Sequence, residues 1–443
     1  MTAVAVASLH DRAAADALAH AEDPYASLIQ KIGDARCVLI GEASHGTHEF
    51  YRERAEITQR LIEQKGFGAV AAEADWPDAL RVHRYVTGTS DDPDAVDALG
   101  GFRRFPTWMW RNADVLDFVG WLRDFNASRQ QRSRVGFYGL DLYSLHSSLE
   151  AVIAYLEKVD PPAAQRAREH YGCFDEVADP TDYGYAVGLG LIESCRNEAM
   201  QALMDLRQQG EKYVRLGIPH AEDEYFYAEQ NARVAKDAEE YYRMMLSERI
   251  SSWNLRDRHM FQTLEELSTH LARHHDSTKI VVWAHNSHVG NARATDMSRR
   301  GEFNIGELAR RRYGGESALV GFTTYAGTVS AASDWGAPVE RKNVRPALPG
   351  SYEELFHNVG VPRFGLTSDD PPVRAAMQGP LLERAIGVVY KPETERQSHY
   401  FESRLPEQFD AVIHIDRTRA VEPLERTAEW ERGEAPETYP SGL

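Results

Sequence analysis

The stretch Cys37-Val-Leu-Ile-Gly-Glu-Ala-Ser-His-Gly46 decides the fold, because a short apolar run ends there in a glycine and a group of polar residues. A helix is predicted directly after it, from Thr47, which can cap the first turn, to Lys65, with Gly66 ending it. Another apolar run follows at residues 69–72. A strand, a helix and a strand in this order predict two parallel strands of an α/β sheet.

The alternation of strands and helices continues on both sides of a long helical stretch. A third strand is predicted at residues 135–140, after a helix at 112–126, and the pattern from His146 to His275 is helical only. The helices predicted in that stretch are residues 148–158, 185–209, 223–246 and 255–273. The strands predicted after it are residues 279–284, 318–323, 385–390 and 411–415.

The predicted fold is therefore of the α/β class, with a mostly parallel central sheet flanked by helices. A large all-helical insertion is expected beside an active-site cleft. Residues 1–145 and 276–443 form the two parts of the core in this interpretation. Residues 146–275 form the insertion, as a lid or a region that selects the substrate. The acidic tail after Ala420 is predicted to be a surface extension.

The composition limits the classes of partner. The chain has 50 Lys+Arg and 68 Asp+Glu, a net charge of -18, which argues against nucleic acid or an anionic membrane as a partner. No apolar run approaches the roughly 20 residues of a membrane helix. The apolar patch at residues 3–7 has no basic residue before it and is not expected to be a secretory signal. We expect a small-molecule substrate, while the oligomeric state is not indicated.

The three cysteines are Cys37, Cys173 and Cys195, and they form no CxxC pair. A structural zinc site made of thiolates is therefore not expected. Cys37 lies in an apolar run and is predicted to be a buried small hydrophobic residue. This cysteine usage favours a reducing cytoplasm.

Polar residues stand at the ends of four predicted strands. Open α/β sheets bind ligands at the carboxyl ends of their strands. If these four strands are neighbours in the sheet, their polar residues converge on one site. These residues are Glu42, His45, Glu73, Asp141, His285 and His288.

The pair Glu42 and His45 carries the strongest chemical signal. An imidazole titrates near neutrality, so a histidine held by a carboxylate can take a proton from water. Arg54 falls on the apolar face of the following helix, and a buried guanidinium requires a buried carboxylate beside it. Glu42 and Glu73 are both candidates for that carboxylate, and the pair is equally compatible with a catalytic or a structural role.

Other residues receive separate interpretations. His285 and His288, three residues apart, can converge for metal binding or for charge stabilisation. His48 is predicted to lie in a solvated or a rim position. Ser44 is not in a Gly-x-Ser-x-Gly elbow, which disfavours a serine nucleophile. Neither glycine-rich nucleotide-binding motif is found, so no cofactor is expected.

The aromatic and polar residues that flank the strand ends are candidates for contacts to a substrate. Those predicted to bind it are Trp76, Trp110, Arg111, Asp141 and Tyr143. Arg256, Asp257 and Met260 share one helix of the insertion, where we expect a buried polar contact that holds the insertion to the core.

At these residues the chain resembles the erythromycin esterase family. The order and spacing of several motifs make the resemblance specific, and it runs from about residue 25 to 420. The segments that carry it are Val38-Leu-Ile-Gly-Glu-Ala-Ser-His-Gly46, Ala72-Glu-Ala-Asp-Trp76, Met109-Trp-Arg111, Tyr138-Gly-Leu-Asp-Leu-Tyr143, Asn254-Leu-Arg-Asp257, Trp283-Ala-His-Asn-Ser-His288 and Phe409-Asp-Ala-Val-Ile413.

The resemblance implies an α/β core with a helical portion beside a deep cleft. Members of the family open macrolide lactones by hydrolysis and so inactivate the antibiotic, which implies a role in antibiotic resistance. His45 would be the base that activates water, and no role carries over to His48. The residues to which the resemblance assigns catalytic roles are Glu42, His45, Arg54, Glu73, His285 and His288.

Three hypotheses of function follow. The first is a metal-independent hydrolase of an ester or a lactone such as erythromycin, in which Glu42 or Glu73 orients His45. In it, His285 and His288 stabilise the oxyanion or protonate the leaving alcohol. The second is a metal-dependent hydrolase of another small ester or metabolite that uses Zn²⁺ or Mn²⁺ in the same cluster, against which Arg54 argues as a competing cation. The third is a non-catalytic protein that binds a small molecule.

Overall fold

The computed structural model describes residues 3–15, 23–217, 220–245, 249–377 and 379–433. Strands and helices alternate through most of this chain outside one long helical stretch. The strands are β1 (Cys37–Ile40), β2 (Ala69–Asp75), β3 (Gly136–Asp141), β4 (Ile280–Trp283), β5 (Ser317–Thr323), β6 (Ala326–Ala331), β7 (Glu340–Val344), β8 (Arg363–Thr367), β9 (Leu381–Arg384), β10 (Tyr400–Ser403), β11 (Ala411–Ile415) and β12 (Arg417–Thr418).

The α-helices range from single turns to long rods. They are α1 (Ala3–Ala15), α2 (Ala26–Ile32), α3 (His48–Lys65), α4 (Trp76–Thr87), α5 (Ala95–Ala98), α6 (Ala113–Ala127), α7 (Leu145–Val159), α8 (Pro161–Tyr171), α9 (Pro180–Gly188), α10 (Arg196–Gln208), α11 (Gly210–Val214), α12 (Ala221–Met244), α13 (Arg249–His274), α14 (Asn286–Val289), α15 (Ile305–Tyr313), α16 (Tyr352–His357), α17 (Pro371–Ala376), α18 (Glu395–Ser398), α19 (Leu405–Gln408) and α20 (Ala428–Arg432).

A seven-stranded sheet forms the centre of the molecule, in the order β3-β2-β4-β1-β5-β11-β8. Neighbouring strands are parallel except for β8, which runs antiparallel to β11 at one edge. Every residue of β1 and of β4 is buried, as expected for strands that helices cover on both faces. The predicted α/β fold with a mostly parallel sheet is confirmed.

The strand order decides where the polar residues meet. The strands β3, β2, β4 and β1 are consecutive neighbours. Their carboxyl ends therefore lie side by side at one edge of the sheet, which is the condition that the predicted convergent site requires.

The helices α7–α12 pack around a hydrophobic cluster of their own, which includes Leu149, Leu203 and Tyr242. The apolar residues of α13, such as Met260 and Leu264, instead pack in a cluster shared with the central sheet. The helix predicted at residues 185–209 is two helices, α9 and α10, with Gly190 between them at φ +69°, a conformation that glycine adopts most readily. The division into core and insertion stays a prediction.

Two of the three cysteines are paired in this helical region. Cys173 and Cys195 form a disulfide with Cα atoms 6.0 Å apart, a pairing that the sequence did not predict. Cys37 is free and buried, as predicted.

The strand predicted at residues 385–390 is wrong. The strand of this region is β9, which ends at Arg384 and pairs with β10. The apolar residues after it form a loop that bonds to the turn after β1, where the Ile386 N–H donates to the Ala43 carbonyl (2.9 Å) and the His45 N–H donates to the Ile386 carbonyl (3.0 Å). This loop therefore holds the segment that carries His45.

Two predictions fall partly outside the described residues: the end of the helix predicted at 223–246 and the part of the C-terminal tail beyond residue 433. Among the residues that the structure describes, no helix is both long and apolar enough to cross a membrane.

Candidate active site

A cavity of about 960 Å³ opens where the carboxyl ends of the four strands meet α13. This volume lies at the upper end of the roughly 300–1,000 Å³ of small-molecule sites. The strand ends contribute His45, Glu73, Asp141, His285 and His288 to its wall. Trp110 and Tyr143 also line it, as expected for substrate-binding residues, together with Trp253 and Arg256 of α13.

His45 is held by Glu42 in the turn between β1 and α3. The Nδ1 atom of His45 lies 2.9 Å from Oε1 of Glu42, and both side chains are buried. Burial alone raises the pKa of Glu42, but the charges of Arg54 and His45 outweigh it, so the pKa lies below its ordinary value. Glu42 is therefore a carboxylate that accepts the Nδ1 proton, which leaves Nε2 of His45 as the nitrogen that can take a proton.

Arg54 lies behind this pair on the buried face of α3. Its Nη1 atom is 3.4 Å from Glu42 Oε1, and the residue is fully buried. The guanidinium also stacks over the rings of Tyr51 (4.6 Å) and Trp283 (4.9 Å). Of the two carboxylates that the sequence left open, Glu42 is the one beside Arg54.

Glu73 at the end of β2 is a structural support for two other site residues. Its Oε2 accepts the backbone N–H of His285 (2.8 Å), and its Oε1 accepts a bond from Arg256 (2.6 Å). Burial raises the pKa of Glu73, but the charges of His288 and Arg256 outweigh it and hold the pKa well below its usual range. Both carboxylate oxygens of Glu73 are hydrogen-bonded, one to His285 and one to Arg256. Glu73 therefore orients these two residues, and the carboxylate that is hydrogen-bonded to His45 is that of Glu42.

His285 is the opposite tautomer from His45. Its Nδ1 accepts the backbone N–H of Ser287 (3.2 Å), an interaction that also caps α14. Burial, with the nearby charge of His45, lowers the pKa of His285 to about 3. The ring is therefore neutral near pH 7 with its proton on Nε2, a buried atom that has no hydrogen-bond partner among the described residues.

The two rings that face the cavity are close enough to act on one substrate group. The ring centroids of His45 and His285 are 4.8 Å apart, tilted by 48°. A proton acceptor and a neutral N–H donor thus stand next to each other in a buried pocket. This arrangement suits the addition of water to a polarised carbonyl.

His288 is fixed by contacts on all sides. Its Nδ1 lies 3.0 Å from Asp257, its Nε2 lies 3.0 Å from Nη1 of Arg256, and its ring stacks on Trp253 at 4.5 Å. Burial lowers the pKa of His288, but the carboxylates of Asp257 and Glu73 outweigh it and raise the pKa above its ordinary value. The ring is therefore held in one orientation, with Nδ1 against the Asp257 carboxylate and Nε2 against the Arg256 guanidinium.

Arg256 is the residue whose importance sequence reasoning missed. Its guanidinium joins Glu73 to Asp141, with N–O distances of 2.6 Å to each, and lies 4.9 Å from the ring of Tyr143. The predicted buried polar contact of Arg256 is found here, between α13 and the ends of β2 and β3, and it lies inside the site. The signal was available, since Arg256 belongs to the motif Asn254-Leu-Arg-Asp257.

An acidic wall beside the site was also missed. Asp75 and Asp78 line the cavity near Arg104, which bonds to Asp75 at 3.0 Å. Burial raises the pKa of Asp78 to about 7 and also raises the pKa of Asp75.

Two residues predicted to bind substrate are not brought to the cavity. Trp76 is buried against Tyr138 and Phe226, because a large apolar indole gains more from packing among aromatic rings. Arg111 turns to the C-terminal segment and pairs with Glu425. His48 bonds to Asp114 at 2.9 Å and is part-buried, close to the rim position that was predicted.

The histidines and carboxylates at the strand ends have few nitrogen and oxygen atoms free to bind a metal ion. Both oxygens of Glu73 and both ring nitrogens of His288 have partners, as described above. Among the described residues, the donor atoms left for a cation are Nε2 of His45, Nε2 of His285 and Oε2 of Glu42, and the Glu42 carboxylate already faces the Arg54 guanidinium. The cluster fits a metal poorly for this reason.

Comparison with known proteins gives a consistent family assignment. The family model described as erythromycin esterase matches residues 62–418. The chain is similar to the erythromycin esterase type II of Escherichia coli, at 23% identity over 76% of this chain and 82% of that protein.

Solved structures share the fold. A succinoglycan biosynthesis protein superposes with a TM-score of 0.75 at 19% identity, covering 94% of this chain and 97% of that one. A histidine-to-asparagine mutant of the erythromycin esterase EreC in its open conformation gives a TM-score of 0.64 at 17% identity, covering 91% and 96%. At these identities the likeness shows the fold alone.

Proposed function

Because the chain belongs to the erythromycin esterase family, a family of hydrolases, we propose that it hydrolyses a carboxylic ester or lactone with water activated by His45. The observation that supports this most is the pair of rings at the cavity wall. Nδ1 of His45 is hydrogen-bonded to the Glu42 carboxylate. His285 is neutral and has its N–H on Nε2.

His45 and His285 together provide every proton transfer and the oxyanion hydrogen bond that the reaction requires. Nε2 of His45 takes a proton as the water oxygen forms a bond to the carbonyl carbon. The oxyanion that results accepts a hydrogen bond from Nε2–H of His285. When the C–O bond breaks, the proton on His45 passes to the leaving alcohol, which regenerates the base.

The remaining residues hold this geometry. Glu42 stabilises the imidazolium that forms on His45, and Arg54 keeps Glu42 ionised. Glu73 fixes the backbone of His285, Arg256 contributes positive potential near the oxyanion, and His288 holds Arg256 in place.

We further propose a macrolide-type lactone such as erythromycin as the substrate, with resistance to the antibiotic as the consequence. The family description and the name of the Escherichia coli relative support this choice. A cavity of about 960 Å³ also has room for a large ring.

The decisive experiment incubates the purified protein with macrolides of several ring sizes and with small esters, and follows mass by mass spectrometry. A single product heavier than the substrate by one water supports lactone hydrolysis. An acid and an alcohol whose masses sum to the substrate plus one water support hydrolysis of an open-chain ester. Tight binding without any turnover across the panel would instead favour a non-catalytic binding protein. Turnover that is lost after chelation and returns with an added divalent metal would favour a metal-dependent hydrolase.

A further inference from the structure

A second cluster of histidines lies away from the cavity, where α12 begins and α13 ends. Asp223 stands in the first turn of α12, His270 in the last turns of α13, and His275 directly after α13. Each of these three side chains has one nitrogen or oxygen atom that lies within 4.8 Å of the corresponding atoms of the other two.

The contacts at this cluster are not those of a simple ion pair. Nε2 of His270 lies 3.0 Å from Oδ1 of Asp223 but does not meet the geometry of a hydrogen bond. Nδ1 of His275 is also buried without a hydrogen-bond partner among the described residues. Two buried ring nitrogens beside one carboxylate thus lack a hydrogen-bond partner among the described residues, which is costly unless another group binds there.

The ring of His270 is held in a fixed orientation. The side chain is only 5% exposed and stacks on Phe226 at 4.1 Å, with the two planes 4° apart. Asp223 is part-buried, so solvent water can reach it and complete a coordination shell. Two imidazoles, one carboxylate and a water make a donor set that Zn²⁺ accepts in a tetrahedral arrangement.

Further imidazoles surround the cluster, since His220 lies 3.6 Å from Asp223 and the ring of His274 lies 4.8 Å from that of His270.

We propose that Asp223, His270 and His275 bind a divalent transition-metal ion of the Zn²⁺ type that joins the start of α12 to the end of α13. The ion stabilises the helical region and takes no part in ester hydrolysis. Its ligand His270 is 13 residues from Asp257 along α13 (270 − 257), so the site lies about 20 Å from the catalytic end of that helix. An ion that binds the folded chain and not the unfolded chain raises the free energy of unfolding of the protein.

The test uses the full chain, stripped with a chelator, loaded with zinc sulfate and freed of unbound metal by gel filtration. We compare wild type with Asp223→Asn and with His275→Gln, which changes a part-buried residue and so protects against a failure to fold. The matched control is His170→Gln, since His170 faces Asp205 at 3.4 Å in the same helical region and serves as a histidine–carboxylate pair outside the cluster.

Wild type and the control are expected to retain about one Zn²⁺ per chain and to show a higher Tm with zinc than without. Asp223→Asn and His275→Gln are expected to retain none and to show no change of Tm with zinc. The proposal is overturned if wild type retains no zinc, or if Asp223→Asn retains as much as wild type, because the metal would then sit elsewhere, such as in the His45 and His285 cluster.

Discussion

Nδ1 of His45 meets the Glu42 carboxylate, whereas Nδ1 of His285 accepts the backbone N–H of Ser287. The two neighbouring rings therefore present opposite chemistry at Nε2: a proton acceptor on His45 and a proton donor on His285. This difference arises from the main chain, because the capping bond at α14 sets the tautomer of His285 and the turn after β1 places Glu42 beside His45.

Replacement of His45 removes the proposed base. We expect His45→Gln to lower kcat by about 10²–10⁴-fold while the protein stays folded, as is typical when a general base is lost. The matched control is His48→Gln, three residues away, whose side chain bonds to Asp114. Steady-state kinetics on the substrate found by mass spectrometry checks both variants. Equal activity of His45→Gln and His48→Gln would remove His45 from the mechanism.

Replacement of His285 by asparagine separates its two functions. The amide side chain that His285→Asn introduces can still accept the Ser287 N–H, but it lacks the Nε2–H that we place on the oxyanion. We expect kcat to fall by about 10²–10³-fold with KM little changed, which is the size seen when one oxyanion donor is lost. A rise of KM with unchanged kcat would mean that His285 binds substrate without stabilising the oxyanion.

The lowered pKa of His285 makes stability depend on pH. Its pKa is about 3 in the folded protein and 6.5 ordinarily, so between these values the unfolded chain binds more protons. The contribution of His285 to stability is therefore fully present above pH 6.5 and is lost as the pH falls toward 3. We expect the free energy of unfolding to fall less steeply with acid in His285→Asn, by up to about 1.4 kcal/mol per pH unit.

Urea unfolding at several pH values between these two limits measures that slope. His83 and His399, with pKa values lowered by burial to about 3 and about 4, contribute equally to wild type and variant. Identical slopes in the two proteins would show that His285 is not kept neutral by the fold.

Arg256 joins the helical region to the strand ends. We expect Arg256→Met to destabilise the protein by about 3–5 kcal/mol, because it leaves the buried carboxylates of Glu73 and Asp141 without their common partner. The control is Arg258→Met on the same helix, whose exposed guanidinium lies over the ring of Phe303. Denaturant unfolding of both variants checks this, and similar stability of the two would contradict a central role for Arg256.

The sequence predicts the sheet and the strand-end residues because both depend on local patterns. Apolar runs that end in Glu42, Glu73, Asp141 or His285 identify buried strands and the side chains at their ends. It also predicts that Arg54 needs a carboxylate, since a guanidinium on a buried helix face cannot stay unpaired.

Other features depend on packing between distant segments. The apolar residues 385–390 look like a strand, but their backbone partners are the turns around Ala43 and Ala332. Arg256 becomes part of the site only because α13 packs across the strand ends. Trp76 lies outside the cavity because its side chain packs against aromatic residues of β3 and α12.

The most direct test of the central claim is hydrolysis in water enriched in oxygen-18, with wild type and His45→Gln at equal concentration. Attack by water that His45 activates predicts one heavy oxygen in the carboxylate of the product from wild type and almost no labelled product from the variant. Product from wild type without the label, or labelled product from the variant at the wild-type rate, would contradict it.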